Sequence, residues 1–278
     1  MAAWSLLVVY GPNCPLCKVS PLRPQVTQTP PDLNAPNPIP PSTNLELEKM
    51  TWMEVRDRIV AGSTRVIIPT GGIEQNGPFV ALNKHDVIAK AVSVQAARIL
   101  GNTIVAPVIS FVPEGDFNPP SGHMRYPGTI SLSSDTFQRM VHDIVTSLSL
   151  SGFKEIVIVG DSGDSQEDIV RVATQRTPEN TNGATVRYLS NFYNYDDIRS
   201  FLKERGISET PEQFHEELAF SLQLLALDPS AVRYNERIAA GFRTLGGVSL
   251  EDKEALVALG NDIMKRRAEQ VAAAIGAE

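Results

Sequence analysis

The run Arg65–Thr70 (RVIIPT) and its counterpart Glu155–Gly160 (EIVIVG) constrain the fold more than any other feature of this sequence. Both are short, apolar and rich in β-branched residues, and both break abruptly into Gly-containing polar loops. Runs of this length without polar alternation have the pattern of strands covered on both faces. Further strand candidates lie at residues 103–111 and 185–190, and helix candidates at 87–100, 136–151, 164–175, 211–227 and 250–275 alternate with the strands. Another helix opens at a capping box, Thr51 with Glu54, and runs to residue 61. The alternation predicts parallel strands joined by helical crossovers, an α/β fold in which a mostly parallel central sheet lies between two helical layers as a three-layer α/β/α sandwich.

Open α/β sheets present their sites at the carboxyl ends of strands, so the loops after residues 70 and 160 are where chemistry is expected. The first carries Glu74, Gln75, Asn76, Lys84, His85 and Asp86, and the second reads Asp161-Ser-Gly-Asp164. Glu74 on its own reads first as a carboxylate paired with Lys84 or with loop amides, though a carboxylate there also suits a metal ion. Asp161 and Asp164 precede a helix and suit its N-cap; a capping Asp can also bind metal. In the 136–151 helix, Phe137, Met140, Val141, Ile144, Val145 and Leu148 form a buried stripe, and His142 lies off it as a surface residue. Residues 116–122, with the run FNPP, form a Gly/Pro loop long enough to overhang a site.

Bulk properties narrow the partners. Twenty-five basic against thirty-two acidic residues give a net charge of −7 with no block of like charge, so nucleic acid and anionic membranes are not expected partners. No apolar run reaches the length of a membrane-spanning helix. Residues 1–45 read as a Pro-rich, poorly ordered leader, with eight prolines between Pro21 and Ser42, and 46–278 as the folded domain. The only cysteines, Cys14 and Cys17, resemble a thioredoxin-type turn without the helix that should follow, and two thiols cannot complete a structural zinc site. Cytoplasmic placement is the expectation, with export through the short apolar 2–10 segment left open.

Four ordered blocks carry a family resemblance. Residues 66–86 (VIIPTGGIEQNGPFVALNKHD), 121–132 (SGHMRYPGTISL), 156–165 (IVIVGDSGDS) and 215–233 (HEELAFSLQLLALDPSAVR) resemble the creatininase (creatinine amidohydrolase) family. The family's loop reads Glu-Gln-His-Gly-Pro with an Asp eleven residues after the Glu, and here Glu74, Gln75, Gly77 and Pro78 match. Asn76 stands where the family has a metal-binding His, His85 where it has the bridging Asp, Ser162 where it has a second His, and Phe220 where it has a Glu.

The resemblance implies a metal-dependent hydrolase of a non-peptide C–N bond, in a small or cyclic amide, assembled as a homo-oligomer, typically a hexamer. With both imidazole positions lost, it implies a single divalent ion (Zn, Mn or Fe) held by Glu74, His85 and Asp164, with Asp161, Asp86 or Glu217 in reserve. His215, Glu217 and His123 are the expected catalytic residues, and Arg125 joins His123 as an anchor for a substrate carbonyl or carboxylate. Two alternatives stay open: a nucleophile turn around Ser162, and a family fold that has lost catalysis and serves as a binding or structural protein.

Overall fold

The computed structural model describes residues 32–163, 165–175, 182–210 and 215–277. The chain divides into two compact units, Met1–Ile39 and Pro40–Glu278. In the first, an Asx turn at Asp32, whose carboxylate accepts from the Asn34 amide, opens the described part. The expectations for Cys14, Cys17 and the first thirty-one residues fall outside the described residues.

The second unit begins with helix α1 (Trp52–Val60), closed by the expected reciprocal cap: the Glu54 amide donates to Thr51 Oγ1 and the Thr51 amide to Glu54 Oε2. Then follow β1 (Arg65–Thr70), α2 (Lys84–Leu100), β2 (Thr103–Val105), α3 (Ser134–Leu150), β3 (Glu155–Gly160), α4 (Gln166–Gln175), β4 (Thr185–Tyr188) and α5 (Tyr195–Lys203). Helices α6 (Leu218–Leu227) and α7 (Tyr234–Ala239), a hairpin of β5 (Thr244–Leu245) with β6 (Val248–Ser249), and α8 (Lys253–Gly276) complete the chain. The four sheet strands run in the order β2-β1-β3-β4, all parallel, with β1 and β3 paired along their whole length from Arg65–Glu155 to Thr70–Gly160.

Strand alternation assigns the two faces. Val66, Ile68, Ile156 and Ile158 pack with Phe137, Val141 and Val145 of α3 and with Ile169 of α4. Ile67, Val157 and Val159 pack on the other side with Ile88 and Val92 of α2, Phe220 of α6 and Val271 and Ile275 of α8. Both faces of the central strands are therefore covered, which is why they read as continuous apolar runs. A separate cluster of Ile198, Phe201, Leu218, Leu222, Leu245 and Ile263 ties α5, α6 and the hairpin to α8, beyond the sheet.

Helix ends shift by one to three residues from the expected bounds, and three elements differ for a reason the backbone shows. The 103–111 strand stops at Val105, because Pro107 has no amide to continue the ladder; the chain rejoins β1 only through single contacts, with Ile109 donating to Pro69 O and Gly71 donating to Ile109 O. The 185–190 strand ends at Tyr188 and turns into a 3-10 helix at Ser190–Phe192. Helix α6 begins at Leu218, seven residues after the expected start at 211, because His215 and Glu217 take positive φ of 62° and 23° and cannot continue a right-handed helix.

Candidate active site

Two loops leave the carboxyl ends of the paired strands β1 and β3 side by side. At Gly71 the chain passes so close to the start of α2 that an added Cβ would lie 2.0 Å from Asp86 Oδ1 and 2.7 Å from the Asp86 backbone. Asp86 accepts from the Gly72 amide at 2.9 Å, and burial raises its pKa, so it supports the turn rather than facing the site. This close passage lets Glu74, on the loop, meet His85, on the first turn of α2.

A row of buried polar side chains runs inward from Glu74. His85 Nε2 lies 2.8 Å from Glu74 Oε1, and His85 Nδ1 lies 2.9 Å from Asp161 Oδ2. Arg267 of α8 donates to Asp161 Oδ1 at 2.6 Å, to the Phe192 carbonyl at 3.0 Å and to Gln223 Oε1 at 2.9 Å. Asp161 and Gln223 are fully buried, and Glu74, His85 and Arg267 nearly so. Burial and the Lys84 charge oppose protonation of His85, but its hydrogen bonds to Asp161 and Glu74 outweigh them and raise its pKa. Burial raises Glu74 and Asp161 in turn, yet His85 holds the Glu74 carboxyl well below the usual range, and Arg267 with His85 holds the Asp161 carboxyl below its ordinary value. The row is thus two carboxylates alternating with two cations.

Two further histidines close on the outer side of Glu74. His123 Nε2 lies 3.4 Å from Glu74 Oε2, and His215 Nδ1 lies 3.5 Å from Glu74 Oε1 and 3.2 Å from the Gln75 carbonyl. The two rings are 4.6 Å apart. Ligand atoms of Glu74, His123 and His215 all lie within 4.8 Å of one another, and this is the one such cluster of His, Cys, Asp and Glu among the described residues. Burial and the nearby Lys84 lower the pKa of His215, which favours the neutral ring that a cation requires.

The His123 loop is pinned from both ends. The His123 amide donates to the Glu114 carbonyl, the Ile130 amide to the Ile73 carbonyl, and the Gln75 amide to Thr129 Oγ1. The His215 segment is held by its neighbours: buried Glu216 pairs with Arg237 and accepts from the Phe79 amide, while its side chain fills the space above Gly77, whose φ of 74° suits glycine. Glu217 Oε1 lies 3.4 Å from His215 Nε2, and its Oε2 accepts from Lys84 Nζ at 3.1 Å.

The structure places Glu74, the expected ligand, beside His123 and His215, with Glu217 next to His215, and gives other expected residues different company. His85 and Asp161, expected as ligands, form the row behind Glu74, with both His85 nitrogens facing carboxylates. Asp164 lies outside the described residues. Lys84 pairs with Glu217 instead of Glu74. Asn76 is fully buried and spends its amide on the carbonyls of Glu74 and Ala81. Ser162 is buried, and the hydrogen bond it shows is to Ser165 through its own carbonyl. Phe220 sets its ring edge-on to His85 at 4.9 Å, a hydrophobic wall where a carboxylate was expected. Arg267 was not anticipated; its signal is an arginine on the stripe of Ile263, Met264, Ala268 and Val271 that α8 buries.

Comparison with known proteins agrees with this frame. A family model described as creatinine amidohydrolase matches residues 48–273. The creatinine amidohydrolase of Pseudomonas putida is 26% identical over 129 residues, 46% of this chain and 49% of that protein. The 3-dehydro-scyllo-inosose hydrolase of Thermotoga maritima is 22% identical over 134 residues, 48% of this chain and 40% of that protein. The matched stretch spans about half of the first relative and less of the second. A crystal structure of creatinine amidohydrolase superposes with a TM-score of 0.64 at 21% identity, covering 85% of this chain and 98% of that one, a likeness of fold.

Proposed function

The chain belongs to the creatininase family, and on that premise we propose that it hydrolyses a non-peptide C–N bond in a small or cyclic amide with the help of one divalent cation. The observation that carries this reading is the Glu74–His123–His215 cluster. One carboxylate and two imidazoles with open positions beside them suit zinc, ferrous iron or manganese. When bound, such an ion supplies Lewis acidity toward a carbonyl oxygen and lowers the pKa of water. A second ion finds no comparable set of donors among the described residues, since both nitrogens of His85 are engaged and Asn76 and Ser162 bring no imidazole.

Around that cluster the chain's own groups divide the remaining work. Lys84 fixes Glu217 through Oε2, and Oε1, 3.4 Å from His215 Nε2, is the oxygen that takes a proton from water and returns it to the departing nitrogen. His215, fixed between the Gln75 carbonyl and Glu217, and His123, on the loop across from it, set the opening through which a substrate reaches Glu74. Arg125 on the same loop is exposed and suits a substrate carbonyl or carboxylate. The relatives' names give creatinine and 3-dehydro-scyllo-inosose as substrates, both small cyclic polar molecules, which supports a substrate of that size.

Elemental analysis of the purified protein, paired with anomalous scattering at the metal edge, tests the reading. The expected result is one ion per chain between Glu74, His123 and His215, together with ring opening in a panel of small cyclic amides followed by mass. A folded protein that takes up no zinc, manganese or iron would instead favour the non-catalytic binding or structural reading. Two ions bridged at His85 would overturn the single-ion arrangement.

A further inference from the structure

A lysine with no exposed surface stands at the first position of α2. Lys84 is fully buried, beside His85 in sequence, and both side chains reach Phe220. Lysines ordinarily keep the ammonium in water while the stem lies on apolar surface, and a wholly buried one persists only with partners. Here they are three: Glu217 Oε2 at 3.1 Å, the His215 carbonyl oxygen at 3.2 Å, and the face of Phe220 with its centroid 4.9 Å away.

What Lys84 grips is the most strained backbone near the site. Among the described residues other than glycine, positive φ occurs at Asn182, His215 and Glu217. Two of these three flank Glu216, in the segment that delivers an imidazole to Glu74 and a carboxylate beside that imidazole. Left-handed backbone at such residues is retained only where the surroundings over-determine it. Glu216 is held by Arg237, by the Phe79 amide and by Ser221 Oγ, which donates to the Glu216 carbonyl at 2.6 Å. Those contacts fix the middle residue, whereas Lys84 binds the carbonyl of the first and the carboxylate of the third with one ammonium.

We propose that Lys84 is a positioning residue, which holds His215 in place against Glu74, and Glu217 against His215, by clamping both ends of the 215–217 turn from inside α2. The proposal rests on reading Glu74, His123 and His215 as a cation site, and it adds that the site's outer half is assembled by an internal cation rather than by the loop's own conformational preference. Phe220 contributes the apolar floor on which the ammonium rests. If Lys84 merely fills space, an apolar side chain of similar length should serve as well.

Lys84→Met makes that comparison, read by Co2+ titration in the visible spectrum and by a crystal structure. Wild-type protein is expected to take up one Co2+. The variant should bind it ~10–100-fold more weakly, the range found when partners that orient metal ligands are removed, with the 215–217 turn displaced. A turn left in place, with His215 and Glu217 still left-handed, overturns the proposal whatever the affinity. Wild-type affinity in the variant also overturns it, provided His215→Ala loses Co2+. Should wild-type protein take up no Co2+, the cation-site reading falls instead, and the variant's crystal structure alone decides the role of Lys84. If Lys84→Met does not fold, Lys84→Gln, which keeps a neutral donor, takes its place with the same readouts.

Discussion

The two halves of the site are built from different materials. The inner half, Glu74–His85–Asp161–Arg267, hangs on the ends of β1 and β3 and on the buried faces of α2 and α8, with charges alternating at hydrogen-bond distance. The outer half, His123, His215 and Glu217, hangs on loops and stands partly open to solvent; the two histidines approach Glu74 at 3.4–3.5 Å, and Glu217 stands behind His215. Glu74 belongs to both. The difference teaches that the sheet fixes one carboxylate and its charge balance, while loop residues supply the exchangeable donors, so stability and cation binding should be separable by mutation.

The sharpest break is expected inside the inner half. Asp161→Ala would leave Arg267 and His85 buried with their shared anion gone, and removing one member of a buried pair destabilises by about 3–5 kcal/mol. For a unit of this size that is a fall in melting temperature on the order of 10 °C. Urea unfolding measures it directly, and a loss below about 1 kcal/mol would show that the row does not hold the fold.

A smaller loss is expected where the backbone joins the halves. Gly71→Ala puts a methyl group against the Asp86 backbone at the start of α2, which must shift to admit it. Overpacking of this kind costs about 1–3 kcal/mol. Because α2 carries Lys84 and His85 together, the same change should weaken cation binding. Full stability with weakened binding, or the reverse, would mean that the helix start is not the hinge between the two halves.

In the outer half the sign reverses. His215→Gly relieves a left-handed non-glycine residue, so it should change stability by less than about 1 kcal/mol and in the favourable direction. Cation uptake should nonetheless be lost, because an imidazole is gone. Calorimetric melting alongside metal analysis checks both arms; a clear drop in melting temperature would place His215 among the residues that hold the fold.

How much of this was legible in the sequence follows the same division. β1 and β3 were readable to the residue because strands covered on both faces are apolar throughout, and Glu74, His85 and Asp161 could be placed at the sheet end from the loops that follow. The Thr51 cap was readable because its two hydrogen bonds are local. The 211–227 helix was overextended because periodicity registers apolar spacing and is blind to φ; what bends the chain at 215–217 comes from Lys84, Arg237 and Phe79, remote in sequence. Helix α5 went unrecognised although Ile198, Phe201 and Leu202 are buried at helical spacing, because one short stripe beside many aromatic and polar residues is a weak pattern. The pairing of His123 and His215 across Glu74 is a long-range meeting of loops, and only the family resemblance pointed to those residues.

The least effect is expected at the neighbour of the residue whose partner has the greatest. Arg266 and Arg267 are adjacent on α8, yet Arg267 turns inward to Asp161 while Arg266 grips Asp197 of α5, 2.8 Å at each of two contacts, with Gln270 donating to the same carboxylate at 2.9 Å. The hydrogen bond from Arg266 holds the Asp197 carboxyl below its usual pKa. A carboxylate with a depressed folded pKa contributes stability that is present above its unfolded pKa, about 3.9, and is lost as pH falls through the lower folded value. Water reaches the pair, so Asp197→Asn should cost only about 0.2–1 kcal/mol at neutral pH and less at high salt. The difference between wild type and Asp197→Asn in urea unfolding should therefore shrink below about pH 4 and vanish with further acidification. A penalty as large as that of Asp161→Ala, or one that persists undiminished in acid, would erase the distinction between the buried and the solvated arginine on which the comparison rests.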